Sequence, residues 1–120
     1  MQSTGAYNFP NFKRGDTFLG RDIASLTQED LPVTIYRAAM ELRTKGGELI
    51  YRWDTEIDPA TASITGDTNT VTLHEVETAA TSLWPLGVHV YDLAVWYQAD
   101  GDKHTILEGR MDVRKTVTSN

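Results

Sequence analysis

The sequence has 120 residues, of which 40% are hydrophobic and 23% are charged, and its formal net charge is −6. This size and composition are typical of one globular domain, which buries enough surface to fold without a metal or a disulfide. The acidic balance repels phosphate backbones and anionic lipid, so we expect no nucleic-acid partner and no membrane partner. Because the chain has no cysteine, disulfide frameworks and thiolate metal sites are excluded.

The beginning of the chain gives only weak structural signals. Residues 1–9 lack the basic start and apolar core of a secretory signal, so we expect a flexible N-terminal arm without a leader. Residues 21–32 are polar and show no clear period. Pro32 argues against a central strand in this segment, because proline cannot donate a hydrogen bond to a sheet ladder.

The first clear element is a β-hairpin. Residues 37–43 alternate between apolar and polar side chains, and residues 48–55 do the same on the return strand. Between them, the paired glycines of residues 44–47 supply the positive φ angles that tight hairpin turns require. Two further short strands are predicted at residues 63–65 and 69–73.

A short helix is predicted to follow. Thr72 and Glu75 have the spacing of a capping box, in which each side chain accepts a hydrogen bond from a free backbone amide at the helix start. Val76, Ala79, Ala80 and Leu83 then recur at helical spacing, and Pro85 ends the segment together with Gly87. At most two turns can form, so we expect a crossover between sheets.

The strongest local signal is a second hairpin near the end of the chain. Residues 88–98 and 103–113 are rich in β-branched and aromatic side chains, and an Asp-Gly turn joins them. In the first strand the alternation predicts these inward-facing residues: Tyr91, Leu93, Val95 and Tyr97. Trp96 is predicted to face outward.

Together, six to eight short strands with regular turns predict an all-β fold, an immunoglobulin-like antiparallel β-sandwich with one short crossover helix. A barrel is the alternative. The predicted domain covers residues 10–118, with the arm at 1–9 and a tail at 119–120.

The sequence contains no recognisable catalytic constellation. His74, His89 and His104 are far apart and are expected to face solvent, although His89 and His104 could oppose each other across the second hairpin with Asp92 nearby. Arg14-Gly15-Asp16 matches a receptor-recognition tripeptide but is interpreted as a turn. No nucleophile elbow and no phosphate-binding glycine loop is present, so we expect a protein that is not an enzyme, with no catalytic residue, cofactor or metal.

The aromatic residues are the best candidates for a binding surface. Three or four of them are expected to build the core, where each buries roughly 150–250 Å². Trp96 lies off the inward register and is the leading exposed anchor, since exposed aromatics are typical of protein interfaces. Trp96 could also form a sugar-stacking platform with Tyr97 or Trp53. Tyr7 and Phe9 are the aromatic candidates in the arm, which would order on docking.

Several stretches, in order along the chain, resemble a family of bacteriophage structural proteins. They are Lys13 to Phe18 (KRGDTF), Ala39 to Trp53 (AMELRTKGGELIYRW), Val71 to Tyr97 with its Gly-x-x-x-Tyr-Asp-Leu core, and Ile106 to Val113 (ILEGRMDV). The chain is similar, from about Pro10 to Thr118, to the immunoglobulin-like N-terminal domain of phage upper baseplate proteins and its stand-alone relatives.

The resemblance implies a virion structural or accessory protein of the tail, baseplate, neck or capsid surface. Its expected partners are other virion proteins and further copies of itself in a symmetric assembly. Its expected location is the virion, and the host cytoplasm during assembly. The chain ends before the long regions that follow in baseplate proteins, so a capsid-decorating or adaptor protein is an equal expectation. The alternative functions are a carbohydrate- or receptor-binding module of a phage particle and, more weakly, a periplasmic adhesion domain.

Overall fold

The computed structural model describes residues 5–25, 34–65, 69–98 and 101–115. These residues form nine strands and one short helix. They are β1 (Gly5–Ala6), β2 (Phe12–Lys13), β3 (Arg21–Ser25), β4 (Ile35–Thr44), β5 (Leu49–Asp54), β6 (Ala62–Thr65), β7 (Thr70–Leu73), α1 (Thr78–Thr81), β8 (Gly87–Tyr97) and β9 (Lys103–Arg114). No helix among them is long and apolar enough to cross a membrane.

The strands form two sheets. The larger has the order β1-β9-β8-β4-β5, with β2 also paired to β9, and the smaller has the order β3-β7-β6. All pairs are antiparallel except those that β1 and β2 make with β9, which are parallel. Since both sheets keep free edges, the fold is a sandwich and not a closed barrel. The predicted immunoglobulin-like β-sandwich with one short helix is therefore confirmed.

Both predicted hairpins are present. Strand β4 pairs with β5, with Met40 opposite Trp53, and β8 pairs with β9 over nearly its whole length. Each turn contains a glycine with a positive φ, Gly47 at 99° and Gly101 at 72°. The short strands predicted at residues 63–65 and 69–73 correspond to β6 and β7.

The predicted start of the helix is wrong. Helix α1 begins at Thr78, its N-cap is Glu77, and no side chain caps it. Thr72 lies in β7, where its hydroxyl donates to the Asp22 carboxylate on the neighbouring strand at 2.7 Å. Because β7 is the central strand of the smaller sheet, pairing on both sides outweighs the local capping signal around Thr72.

Two weakly patterned segments are more ordered than expected. Residues 21–25 form β3, an edge strand against β7, while Pro32 lies outside the described residues. Residues 5–9, predicted as part of a flexible arm, pair with β9 instead. The correction has a physical cause, because the edge of β9 offers backbone groups that a polar sequence pattern does not reveal. Residues 1–4 and the predicted tail at 119–120 lie outside the described residues.

The core lies between the sheets and is strongly aromatic. Trp53, on the inner face of β5, is fully buried, and its ring centroid lies 5.1 Å from that of Phe18 and 6.2 Å from that of Trp84. The Trp53 indole N–H donates to the carbonyl of His74 at 3.2 Å, so its one polar atom is satisfied inside the core. Phe18 reaches this cluster because its backbone bridges to Val76 just before α1.

Candidate protein-binding surfaces

Two of the five aromatic candidates are core residues. Trp53 is 0% exposed and Phe9 is 7% exposed, so neither is available on the surface of the folded chain. Phe9 inserts between the rings of Tyr91 and Phe18, at centroid distances of 5.0 and 6.0 Å. The prediction that Trp53 and Phe9 are interface residues is corrected for this reason. Tyr7 is 37% exposed and remains at the surface.

Trp96 lies on the outer face of β8, as its register predicts, but it is half-buried. The guanidinium carbon of Arg37, its partner on β4, lies 4.3 Å from the centre of the Trp96 ring. Tyr97 points to the other face, where its ring packs against His104 with centroids 4.8 Å apart. Trp53 is also on that inner side. The anticipated sugar-stacking platform is therefore not assembled.

The histidines have separate environments. His89 is 3% exposed, and its Nε2 lies 2.6 Å from the carbonyl oxygen of Pro85. The expectation that all three histidines face solvent is thus wrong for His89, whose odd position in β8 points into the sandwich. His89 lies opposite Met111, while His104 lies opposite Val95, so the two histidines do not face each other. Among the described residues, no three His, Asp or Glu side chains gather as metal ligands.

The outer face of β4 and β5 carries a ladder of alternating charges. Asp54 accepts hydrogen bonds from Arg37 at 2.9 Å and from Arg52 at 2.8 Å. Arg52 also bonds Glu41, which accepts two bonds from Arg43 at 2.8 and 3.2 Å. These partners satisfy one another, so the ladder stabilises the face and leaves little charge free for a ligand.

Asp54 is the centre of this ladder and is fully buried. Burial by itself raises the pKa of the carboxyl, but hydrogen bonds from Arg37, the Glu56 amide and Arg52 outweigh it and lower the pKa to about 2. The pKa of Glu41 is lowered as well, chiefly by its bond to Arg43. Both carboxyls are therefore held in the ionised form.

The most exposed apolar residues lie elsewhere, around α1 and the start of β5. Leu83 is 84% exposed, Leu49 is 50% exposed and Leu86 is 45% exposed. Leu83 and Leu49 border an open groove of about 350 Å³ whose wall includes Tyr51 and Trp84. We call Leu49, Leu83 and Leu86 the leucine patch. Exposed apolar groups concentrated beside a groove are typical of protein-binding surfaces.

Sequence reasoning missed the leucine patch because it placed Leu83 on the buried stripe of a longer helix. Since α1 ends at Thr81, the helical spacing no longer applies to Leu83, and its side chain faces solvent. The signal was the run Leu83-Trp84-Pro85-Leu86, in which apolar residues precede and follow a proline that cannot continue a helix.

The Arg14-Gly15-Asp16 tripeptide forms a tight turn, as predicted. The Asp16 amide donates to the Lys13 carbonyl at 3.0 Å, and Gly15 has a φ of 92°. The Thr81 hydroxyl donates to the Asp16 carbonyl at 2.7 Å, and the Arg14 amide is bound to β9. The turn is therefore held against α1 and the sheet.

No protein-family model matches this chain, and no curated protein sequence matches it. Among solved structures, CopC from Methylosinus trichosporium OB3b is 17% identical with a TM-score of 0.41, and the alignment covers 72% of each chain. Extracellular domains 3–5 of Drosophila OTK are 12% identical with a TM-score of 0.42, over 96% of this chain and 35% of that chain. These similarities are low, and the description of this chain as a β-sandwich rests on its own strand order.

Proposed function

We propose that this chain is a non-enzymatic structural or accessory protein of a bacteriophage particle that acts through protein–protein contacts. Its place is the tail, baseplate, neck or capsid surface, and its partners are other virion proteins and further copies of itself. The protein resides in the host cytoplasm during assembly and in the virion afterwards. The observation that carries the contact role is the leucine patch, where Leu83 is 84% exposed.

The leucine patch suits a protein partner better than a small ligand. It lies at the surface end of α1, and its groove is open, so a small molecule would bury little of its own surface there. A protein surface can cover all three leucines at once and remove them from water. Each leucine fully buried in this way contributes roughly 1.5–3 kcal/mol before the cost of association.

The virion part of the proposal rests on the family resemblance, and the residues that carry it have defined positions in the fold. Tyr91, from the Gly-x-x-x-Tyr-Asp-Leu stretch, donates its hydroxyl to the Tyr7 carbonyl at 2.5 Å. Gly109, from the Ile-Leu-Glu-Gly stretch, lies beneath the same carbonyl. The motif residues thus make specific long-range contacts and do more than supply general strand propensity.

The test is to locate the protein in purified particles by mass spectrometry, with wild-type protein and two variants. In Leu83→Asp the leucine patch gains a charge, and we expect incorporation into particles to fall at least tenfold. Leu19→Asp is the matched control, because Leu19 is 70% exposed but lies outside the patch. Its incorporation is expected to match the wild type. Absence of the wild-type protein from particles would refute the virion role, and equal incorporation of both variants would refute the role of the patch.

A further inference from the structure

The segment Gly5 to Phe9, here called the arm, lies along the edge of β9 and is bound mainly through its backbone. Gly5 and Ala6 pair with Leu107 and Glu108 in parallel register. The Tyr7 amide donates to the Glu108 carbonyl at 3.0 Å, and the Phe9 amide donates to the Arg110 carbonyl at 2.9 Å. The arm therefore adds a strand to a sheet that is already complete on its other side.

The groove that receives the arm is shaped for a backbone. A Cβ atom at position 109 would lie 1.7 Å from the Tyr7 carbonyl oxygen, so only glycine permits this approach. The same carbonyl accepts the Tyr91 hydroxyl at 2.5 Å, and burial raises the pKa of Tyr91 to about 12. Without a strand in the groove, this hydroxyl would lose its acceptor.

One buried side chain anchors the arm. Phe9 is 7% exposed and packs between Tyr91 and Phe18, whereas residues 5–8 are exposed. Arg21 lies over the Phe9 ring at 5.2 Å and covers it from the side of β3. Withdrawal of the arm therefore exposes a single large apolar side chain and leaves both long hairpins paired.

The arm is separated from the rest of the sheet by a break in register. Six residues lie between Ala6 and Phe12 (12 − 6 = 6), while five lie between their partners Glu108 and Val113 (113 − 108 = 5). The extra residue bulges out at the exposed pair Pro10-Asn11, where proline has no amide to donate. The arm and β2 are thus two independent attachments to β9, joined by a short hinge.

From these features we propose that the arm is exchanged between copies of this chain. The arm of one copy leaves its own β9 and occupies the same groove on a second copy, where it remakes every contact that it lost. Because the contacts are identical in both states, the balance between them is set mainly by the hinge and by the local concentration of copies. A short hinge favours exchange over reclosure. The proposal rests on the proposed function only in that a particle supplies the high local concentration.

The absence of cysteine from the sequence allows a clean test with single-cysteine variants of the full chain. The register of the arm places Asn8 opposite Arg110, and the Arg110 amide already donates to the Asn8 side chain at 3.2 Å. Asn8→Cys is prepared as one protein and Arg110→Cys as another, and the two are mixed at high concentration, incubated and oxidised. Only a copy that accepts the arm of the other brings the two sulfurs within disulfide distance.

We expect a disulfide-linked heterodimer on a non-reducing gel, at least fivefold more abundant than in a control mixture of Asn8→Cys with Ser63→Cys. Ser63 is exposed on β6 in the smaller sheet and reports random collision. The double variant Asn8→Cys/Arg110→Cys is expected to give covalent dimers or longer chains at high concentration, and linked monomers on dilution before oxidation. Heterodimer at the control level, with only linked monomer from the double variant at every concentration, would overturn the proposal.

A third variant separates exchange from general self-association. Gly109→Val added to Arg110→Cys fills the groove and is expected to abolish the heterodimer, provided that the variant retains its dispersed proton NMR spectrum. If it does not fold, Phe9→Ala added to Asn8→Cys removes the anchor and is expected to give the same loss. A persistent heterodimer in either variant would contradict exchange through the groove. Absence of the protein from particles would refute the virion role without affecting these results.

Discussion

Asp54 offers a quantitative test of how the charge ladder stabilises the sandwich. The substitution is Asp54→Asn, which keeps the shape of the side chain but removes its charge. The carboxylate is fully buried and accepts hydrogen bonds from Arg37, Arg52 and the Glu56 amide. The asparagine amide would instead turn an N–H₂ group toward one of the two guanidinium groups.

The magnitude follows from the pKa of Asp54, which is about 2 in the folded chain against a model value of 3.8. The difference of about 1.8 units, at 1.36 kcal/mol per unit, corresponds to about 2.4 kcal/mol of stability at neutral pH. Because the pKa is lowered on folding, this stability is present above pH 5 and is lost as the pH falls. About half is lost by pH 3, and nearly all is lost below pH 2.

The assay is urea unfolding of the wild type and of Asp54→Asn at pH 7, 4, 3 and 2. We expect the variant to be about 2–3 kcal/mol less stable at pH 7, with a deficit that shrinks steadily toward pH 2. Asp112→Asn is the matched control, because Asp112 also pairs with an arginine two residues along its strand but is partly exposed. We expect its effect to stay within about 0.5 kcal/mol. A deficit for Asp54→Asn that does not change with pH would refute the reasoning.

Three further predictions concern other parts of the molecule. Gly109→Ala places a methyl group against the Tyr7 carbonyl, and hydrogen exchange is expected to show faster exchange of the Tyr7 and Phe9 amides while β8 stays protected; unchanged exchange would contradict the close approach. Trp53→Ala empties the centre of the core and is expected to cost about 3–5 kcal/mol in urea unfolding, so a cost below 1 kcal/mol would be inconsistent with its burial. Leu83→Asp is expected to leave the unfolding midpoint within about 0.5 kcal/mol of the wild type, whereas a large loss would mean that Leu83 is buried.

The two long hairpins were predictable because their signals are local. Alternation places Met40 and Trp53 on the same inner face, and glycines at the turns allow the positive φ angles that join the strands. The helix start was not predictable in the same way. Thr72 has the chemistry of a helix cap, but the central position of β7 commits it to a sheet.

The candidate interface was the least predictable feature, because exposure depends on what the rest of the chain covers. Trp96 follows its register to the outer face, and only the tertiary structure shows that Arg37 lies over its ring. Phe9 is in a polar segment, yet it is a core residue because β9 presents an edge to which that segment pairs. Leu83 fits a helical stripe in the sequence and is nonetheless exposed, because α1 ends too early to bury it.

The sequence by itself determined the class of the fold and its main hairpins, because strand alternation and turn glycines act between neighbouring residues. The tertiary structure alone decided that residues 5–9 join the larger sheet and that Gly109 must lack a side chain beneath them. It also decided that Asp54 is buried and ionised between two arginines. These features join residues on different strands, in the case of the arm about one hundred positions apart, and no local pattern encodes which edge, ring or charge will meet them.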